Sequence, residues 1–546
     1  MHEITSGGVR SASKAFLFRY HAFISKPGRP PVLLLLAAWA VAGVLLLSPS
    51  YLLIRTLGAG PEAWDILLRI RVLEILGRTL LLVGVVTGAS VVLAIPLAWL
   101  TVRTDLPFKT AWSVATALPL VIPSYVAGFI VVVTLGPKGM LQGLLESVFG
   151  MERLPDISGF PGAALTLTFL SYPYVLLTVR AAFLRLDPSL EEISRGLGRN
   201  PWATFFGVIL PSLRPAIAAG GLLVALYTLA DFGAVSLLRF ETFTWAIFLQ
   251  YESALDRGLA AALSLALIVI ALVLVAGEAF TRGRWRYYRS GSGAIRPFAS
   301  VKLGHWRWPA LALCTVVVTI SLVLPMSILA YWVIRGVSAG EPLLLLWEAT
   351  RNSVYVSAIA SGVAVAAALP IAGLSVRFPG MLNGTLERIA YIGFALPGIA
   401  IALSLVFFGA NYAPWLYQTT SLLVLGYVVL FVSAAVGVAR SSFLQVSPNV
   451  EEAARGLGRT PLGVFSSVTL PLVRPGIISG AALVFLLTMK ELPATLILSP
   501  IGFQTLATSI WSAASEAFFA QAAAPALLLI LTSSVPLAFL LLRSRQ

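Results

Sequence analysis

Apolar runs of about 20 residues, separated by short polar stretches, dominate this chain of 546 residues. A run of that length lets an α-helix cross the hydrocarbon core of a bilayer. Such runs lie near 32–54, 79–100, 112–135, 162–184, 213–238 and 258–280, and again near 309–334, 353–374, 389–410, 420–439, 473–498 and 521–542. The pattern predicts an all-α polytopic membrane protein of about 12 transmembrane helices, with both ends on one side. The triplet Ala38-Trp39-Ala40 mimics a signal cleavage site, but it sits inside a run extending from Pro31 to Leu47. A cleaved signal ends its apolar stretch before the site, so the first run reads as a retained span.

Charge gives the orientation. Only 11% of residues are charged, against roughly 25% in soluble domains, which makes lipid the expected solvent. The segments 1–31, 101–111, 185–215, 281–308, 375–388, 440–475 and 543–546 hold 26 of the 38 Lys and Arg residues, and the opposite loops hold nine. Basic loops stay cytoplasmic, so both termini are expected inside and the net charge of +15 needs no nucleic-acid partner. The stretch 282–308 reads as a basic cytoplasmic linker between two six-helix halves. The lone Cys314 and the scattered His2, His21 and His305 form neither a disulfide framework nor a metal cluster.

The polar stretch EEISRGLGRNPWATFFGVILP from Glu191 returns as EEAARGLGRTPLGVFSSVTLP from Glu451. At an offset of 260, residues 191–215 and 451–475 agree at 14 of 25 positions. Upstream, IPLAWLTVR (95–103) resembles LPIAGLSVR (369–377), and ALP occurs at 117–119 and 395–397. The halves are therefore parallel repeats. Within each copy the punctuation predicts helix–turn–helix. Asp187-Pro188 and Ser447-Pro448 start a helix with Glu191 or Glu451 near its positive end, and Gly196/Gly198 and Gly456/Gly458 end it or make the turn. Asn200-Pro201 and Thr460-Pro461 launch a second short helix, which Leu210-Pro211 and Leu470-Pro471 are expected to close. A solvated connector would not explain two copies in halves that have otherwise diverged. A DNA-reading motif is excluded by the spans pressing on both sides.

This doubled loop resembles the signature loop of ABC importer permeases: Glu-Ala-Ala, three residues, Gly, nine residues, Ile-x-Leu-Pro. The second copy supplies Glu452-Ala453-Ala454, Gly458, Val468 and Leu470-Pro471, and the first Glu192-Ile193-Ser194, Gly198, Val208 and Leu210-Pro211; the departures, Ile193, Ser194 and the two valines, are mild. The resemblance implies a type I transmembrane fold, with permease domains over 76–281 and 349–542. Outside them lie the N-terminal segment 1–30, a first helix and periplasmic loop over 31–75, and a seventh helix with its loop over 309–348. It also implies that Glu191, Glu192, Gly196, Gly198, Arg199, Leu210 and Pro211, with Glu451, Glu452, Ala453, Gly456, Gly458, Arg459, Leu470 and Pro471, couple to an ATP-binding cassette subunit. The likeness of the two loops suggests a homodimer of one ATPase. No GxxxxGK[ST] phosphate cradle occurs, so ATP and Mg²⁺ are expected on that partner, and this chain is expected to be a transport subunit without cofactor or catalytic residues.

Acidic residues in the fifth span of each half, Asp231 and Glu491, match at the same offset of 260 and Lys490 is adjacent. Ionised groups in lipid are costly, so these are candidates for a pathway or gate, with a salt bridge to Lys490 as the structural alternative. The segments LADFGAVSLLRFETFTWAIF and MKELPATLILSPIGFQTLATSIW resemble those of fused iron(III) importer permeases of the bacterial inner membrane, served by a periplasmic binding protein. Oxygen donors suit a hard ferric ion. Thiamine, phosphonate and polyamine permeases are the alternatives within the family. A secondary transporter with parallel six-helix repeats is a distant one, disfavoured by the doubled loop.

Overall fold

The computed structural model describes residues 30–58, 69–252, 257–284, 300–340 and 345–543. Most of the N-terminal basic segment, part of the loop after the first span and most of the linker therefore lie outside the described residues. Among the described residues the secondary structure is helical apart from one isolated bridge. Eleven helices among the described residues are long and apolar enough to cross a membrane, and the shorter apolar helix Gly398–Tyr412 occupies the position of the ninth expected span.

Four of the expected spans are broken, each for a local reason. The run at 112–135 becomes Lys109–Ala115, a 3₁₀ turn Leu118–Val121 and Ser124–Leu135, because Pro119 and Pro123 cannot continue a helix. The run at 389–410 breaks before Pro397, which precedes Gly398–Tyr412. The fifth spans stop at Ala230 and Met489 and resume as the short helices Gly233–Leu237 and Pro493–Leu498. Asp231 and Glu491 sit in these two breaks.

The structure refines the repeat. Pro123 and Pro397 each precede a helix start, so Pro397 corresponds to Pro123 and not to the Pro119 of the matching ALP. Their spacing is 397 − 123 = 274, the same as between Arg103 and Arg377. The offset falls to 260 after these helices: the first half carries the extra helix Met140–Phe149, whereas Thr420–Gln445 follows Gly398–Tyr412 closely.

The Leu-Pro pairs do not close the second loop helix. Pro201–Thr204 runs through a π-helical turn, Phe205–Ile209, directly into Leu210–Ala230. The same sequence of turns leads through Phe465–Thr469 into Leu470–Met489, and through Thr319–Val323 into Leu324–Ser338. Each wide turn precedes a Leu-Pro, and the leucine N–H reaches the carbonyl five residues back. Proline lacks an N–H and its ring crowds the preceding turn. A π turn relieves both, so the helix continues where proline would otherwise stop it.

By its contacts the chain divides into two compact units. One comprises the residues up to Leu46, Gly362–Gly393 and Val432–Ala481; the other comprises Leu47–Ser361, Phe394–Phe431 and the residues from Ala482. The first packs around Ala372, Ala439, Phe443, Val446 and Val473. The second has the larger core, with Leu82, Leu97, Tyr172, Phe183 and Leu213 among its fully buried side chains. In the second unit the end of the linker is stitched to the first half. Val301 N–H donates to the Arg103 carbonyl (2.8 Å), Asp105 N–H to the Val301 carbonyl (3.1 Å), and Leu303 N–H to Asp105 Oδ1 (2.9 Å).

Candidate functional site

Each repeated loop is a helix–turn–helix with the same skeleton. The first helix is Pro188–Gly196 in one copy and Pro448–Gly456 in the other. Asp187 Oδ1 accepts from Ser189 N (3.0 Å), and Ser447 Oγ accepts from Asn449 N (3.4 Å). These caps satisfy N–H groups that a helix start leaves open. Leu197 and Leu457 follow, and then Gly198 and Gly458 take φ of +80° and +82°. Their left-handed backbone returns Arg199 N to Ser194 O and Arg459 N to Ala454 O, which closes the helix end. Gly196 and Gly456 are helical, so only the second glycine of each pair is required by conformation. The next start is capped by Asn200 Oδ1 from Ala203 N (2.6 Å), or by Thr460 Oγ1 from Gly463 N (3.2 Å).

Each loop turns one carboxylate inward and several apolar side chains outward. Glu191 and Glu451 point inward and are buried, while Leu190, Ile193, Leu197 and Trp202, and Val450, Leu457 and Leu462, are exposed. Glu192, Arg195, Glu452, Ala453 and Arg455 are exposed as well. The buried carboxylates meet arginines from the end of the second span of each half. Arg103, the last residue of Ile70–Arg103, donates through Nη2 to Glu191 Oε2, and Arg195 Nη2 donates to Glu191 Oε1 (2.6 Å). Arg377, the last residue of Leu345–Arg377, donates through Nη2 to Glu451 Oε1 (2.9 Å), and the Thr469 hydroxyl donates to the same oxygen (2.9 Å). Arg199 Nη1 lies over Gly207, whereas Arg459 Nη1 donates to Ser467 Oγ (3.0 Å). Leu210-Pro211 and Leu470-Pro471 mark the exit from the π turns.

Arg103 and Arg377 were not among the residues expected at the site. The signal was present as the repeated LTVR and LSVR, but the pairs join residues 88 and 74 apart in sequence, beyond any local periodicity.

The acidic residues of the fifth spans cap the resumed helices. Asp231 Oδ1 accepts from Ala234 N (3.0 Å) and Val235 N (3.3 Å), and the Ser124 hydroxyl lies beside the same carboxylate. Glu491 Oε1 accepts from Ala494 N (3.2 Å). At the position equivalent to Ser124 the second half has Gly398, where an added Cβ would approach Glu491 Oε1 to 2.5 Å. A short carboxylate thus faces serine, and a longer one occupies the space left by glycine. Lys490 Nζ donates to the Leu120 carbonyl (2.7 Å), and no Lys490–Glu491 ion pair occurs among the described residues. No group of three or more His, Cys, Asp or Glu residues among the described residues could hold a metal ion.

Two copies of one loop, each following the fourth span of its half, match the layout of a known transport family. The family described as binding-protein-dependent transport system inner membrane component matches residues 90–287 and 360–545. The chain belongs to this family. It is a fused permease, carrying both transmembrane halves in one multi-pass inner-membrane chain. It is 36% identical over 515 residues to the Fe(3+)-transport system permease protein FbpB 2 of Haemophilus influenzae, covering 93% of this chain and 98% of that one. It is 26% identical over 452 residues to the ferric transport system permease protein FbpB of Actinobacillus pleuropneumoniae, covering 78% and 65%. A 160-residue stretch is 34% identical to the molybdenum transport system permease protein ModB of Azotobacter vinelandii, covering 29% of this chain and 70% of that one. Family membership makes the permease a transport subunit and implies an ATPase and a binding protein as partners.

Proposed function

We propose that this permease is the membrane subunit of an ATP-driven importer that takes ferric iron from a periplasmic binding protein and releases it into the cytoplasm. The observation that carries the iron reading is the near end-to-end match to a relative named for Fe(3+) transport. The matches to molybdenum permeases are confined to about a third of this chain, 29% to 35% of it. Oxygen donors at both helix breaks suit a hard cation better than an oxyanion.

In this reading both termini and both repeated loops face the cytoplasm. The loops are the docks for two copies of one ATPase subunit, which carries ATP and Mg²⁺; this chain binds no cofactor. The outward-facing leucines and Trp202 supply the apolar centre of the contact, and the arginines and Glu192 or Glu452 its polar rim. ATP-driven approach of the two ATPases moves the loops, and the attached spans switch the pathway between outward and inward access. Asp231, Glu491 and Lys490 border the pathway as the groups that pin the broken fifth spans. The binding protein supplies most of the selectivity.

The test is ATP hydrolysis by the permease and its ATPase in proteoliposomes, with the binding protein loaded in turn with Fe³⁺, thiamine, a polyamine or molybdate. Stimulation by the iron-loaded form alone is expected. Stimulation by another ligand and not by iron would keep the transport class and remove the substrate.

A further inference from the structure

We propose that Arg103 and Arg377 are positioning residues of the transport cycle: each fastens its loop to the end of the second span of its half, so that a displacement of the loop is delivered to that span. This rests on the reading of the loops as ATPase docks.

Geometry carries the proposal. Each arginine is the final residue of a helix of 34 or 33 residues, and each meets the buried glutamate of the loop helix. Both side chains of each pair are largely withdrawn from solvent, 3% and 11% exposed in the first half and 15% and 10% in the second. The arginines are related by 377 − 103 = 274 residues and the glutamates by 451 − 191 = 260, so the intervening chain changed by 14 residues while the pair persisted. A second arginine follows the same two registers. Arg180 Nη1 donates to the Ser113 carbonyl (2.9 Å), and Arg440 Nε pairs with Glu387 Oε1 (2.9 Å), with 440 − 180 = 260 and 387 − 113 = 274. Arg180 and Arg440 lie inside the fourth span of each half; Arg103 and Arg377 reach the loop itself.

Holding a loop in place does not require charge. An apolar contact of similar volume often holds as well or better, because taking two ions out of water is expensive. A charged pair adds direction: Nη2 of each guanidinium meets one set carboxylate oxygen, and a charge-assisted bond of fixed geometry resists sliding or rotation of the loop helix over the span end. The apolar residues on the outer face of that helix are left for the partner, and the ion pair ties its inner face to the span. In the first half the Arg103 carbonyl also receives Val301 N–H, so the same residue joins the loop, the span and the entry to the second half.

The assembled complex in proteoliposomes tests this through the quantity of substrate moved per ATP hydrolysed. Arg103→Met with Arg377→Met is expected to lower that ratio about tenfold, within the usual range of coupling energies, with the ATPase subunit still bound. Arg103→Lys with Arg377→Lys, which keeps the charge, should recover most of it. Should the methionine variant fail to insert, Arg103→Glu alone and Arg103→Glu with Glu191→Arg give the same reading; the swap should restore the ratio relative to the single change. A wild-type ratio in the methionine variant, or no recovery in the swap, would overturn the role. Release of the ATPase by the methionine variant would also overturn it, by making the arginines part of the dock. Failure of the docking reading is recognised separately: Leu197→Asp with Leu457→Asp would then leave the ATPase bound.

Discussion

The two copies of the loop share an inner skeleton and differ on the outer surface. Both have the cap-proline start, the left-handed glycine, the buried glutamate under a span-ending arginine, and the π turn before Leu-Pro. Behind the helices, the hydrogen-bonded pair Ser194–Thr204 (3.1 Å) is replaced by the buried apolar residues Ala454 and Val464 at the same positions. Outside, Trp202 and Phe206 stack with ring centroids 6.2 Å apart, where the second copy has Leu462 and Ser466. What positions the loop is therefore held to one geometry, whereas what a partner would touch varies.

The carboxylates give the largest expected difference. Glu191 is held by Arg103 and Arg195; Glu451 is held by Arg377 and Thr469, and Arg377 also donates to the Val446 carbonyl (3.0 Å). Glu191→Leu strips the carboxylate from a guanidinium that is 3% exposed, which should destabilise by about 3–5 kcal/mol. Glu451→Leu should cost less, about 1–3 kcal/mol, because Arg377, at 15% exposed, lies nearer solvent. Thermal unfolding of the purified variants in detergent checks the order. Equal losses would mean that the two tethers are energetically the same despite their different neighbours.

The helix breaks extend the comparison. Gly398→Ser gives the second half the serine of the first but leaves the longer glutamate in place. Overpacking against Glu491 Oε1 should destabilise by about 1–3 kcal/mol. Adding Glu491→Asp converts the site to the Ser124–Asp231 arrangement and should recover most of the loss in the same unfolding assay. No recovery would mean that the two breaks are not interchangeable in shape.

Gly198→Ala and Gly458→Ala test the shared part. Neither position has a neighbour within contact of an added Cβ, so the effect is conformational alone. A left-handed residue other than glycine costs roughly 1–2 kcal/mol. With φ of +80° and +82° the two substitutions should shift the unfolding midpoint equally. Unequal shifts would show that the turns are strained differently.

Much of this was legible in the sequence, and the limits have physical reasons. The loop skeleton followed from local chemistry, since a cap-proline start and a glycine end act within four residues. Span positions followed from apolar length. Continuity did not. Prolines 211 and 471 read as stops, because a stretch such as Phe205–Ile209 bears no local sign that it will widen to a π turn. The breaks at Asp231 and Glu491 were hidden inside apolar runs, so nothing local announced that these acids would cap the resumed helices. The arginine tethers were invisible to periodicity because each is made across more than 70 residues.

The smallest expected effect concerns the outer surface. If two identical ATPase grooves meet these loops, the first copy offers a 72%-exposed tryptophan backed by phenylalanine, and the second a 77%-exposed leucine beside serine. Burying the additional ring surface favours the first contact, and large aromatic anchors tend to dominate interface energies. Trp202→Leu with Phe206→Ser gives the first copy the second's residues and should weaken ATPase binding by about 1 kcal/mol, roughly fivefold in affinity. The reverse exchange, Leu462→Trp with Ser466→Phe, should strengthen it by a similar factor. Titrating the ATPase against the permease in nanodiscs measures both. Unchanged affinity in the first exchange would assign the Trp202–Phe206 pair to the membrane interface, where aromatic rings also collect, and would leave the leucines as the common contact.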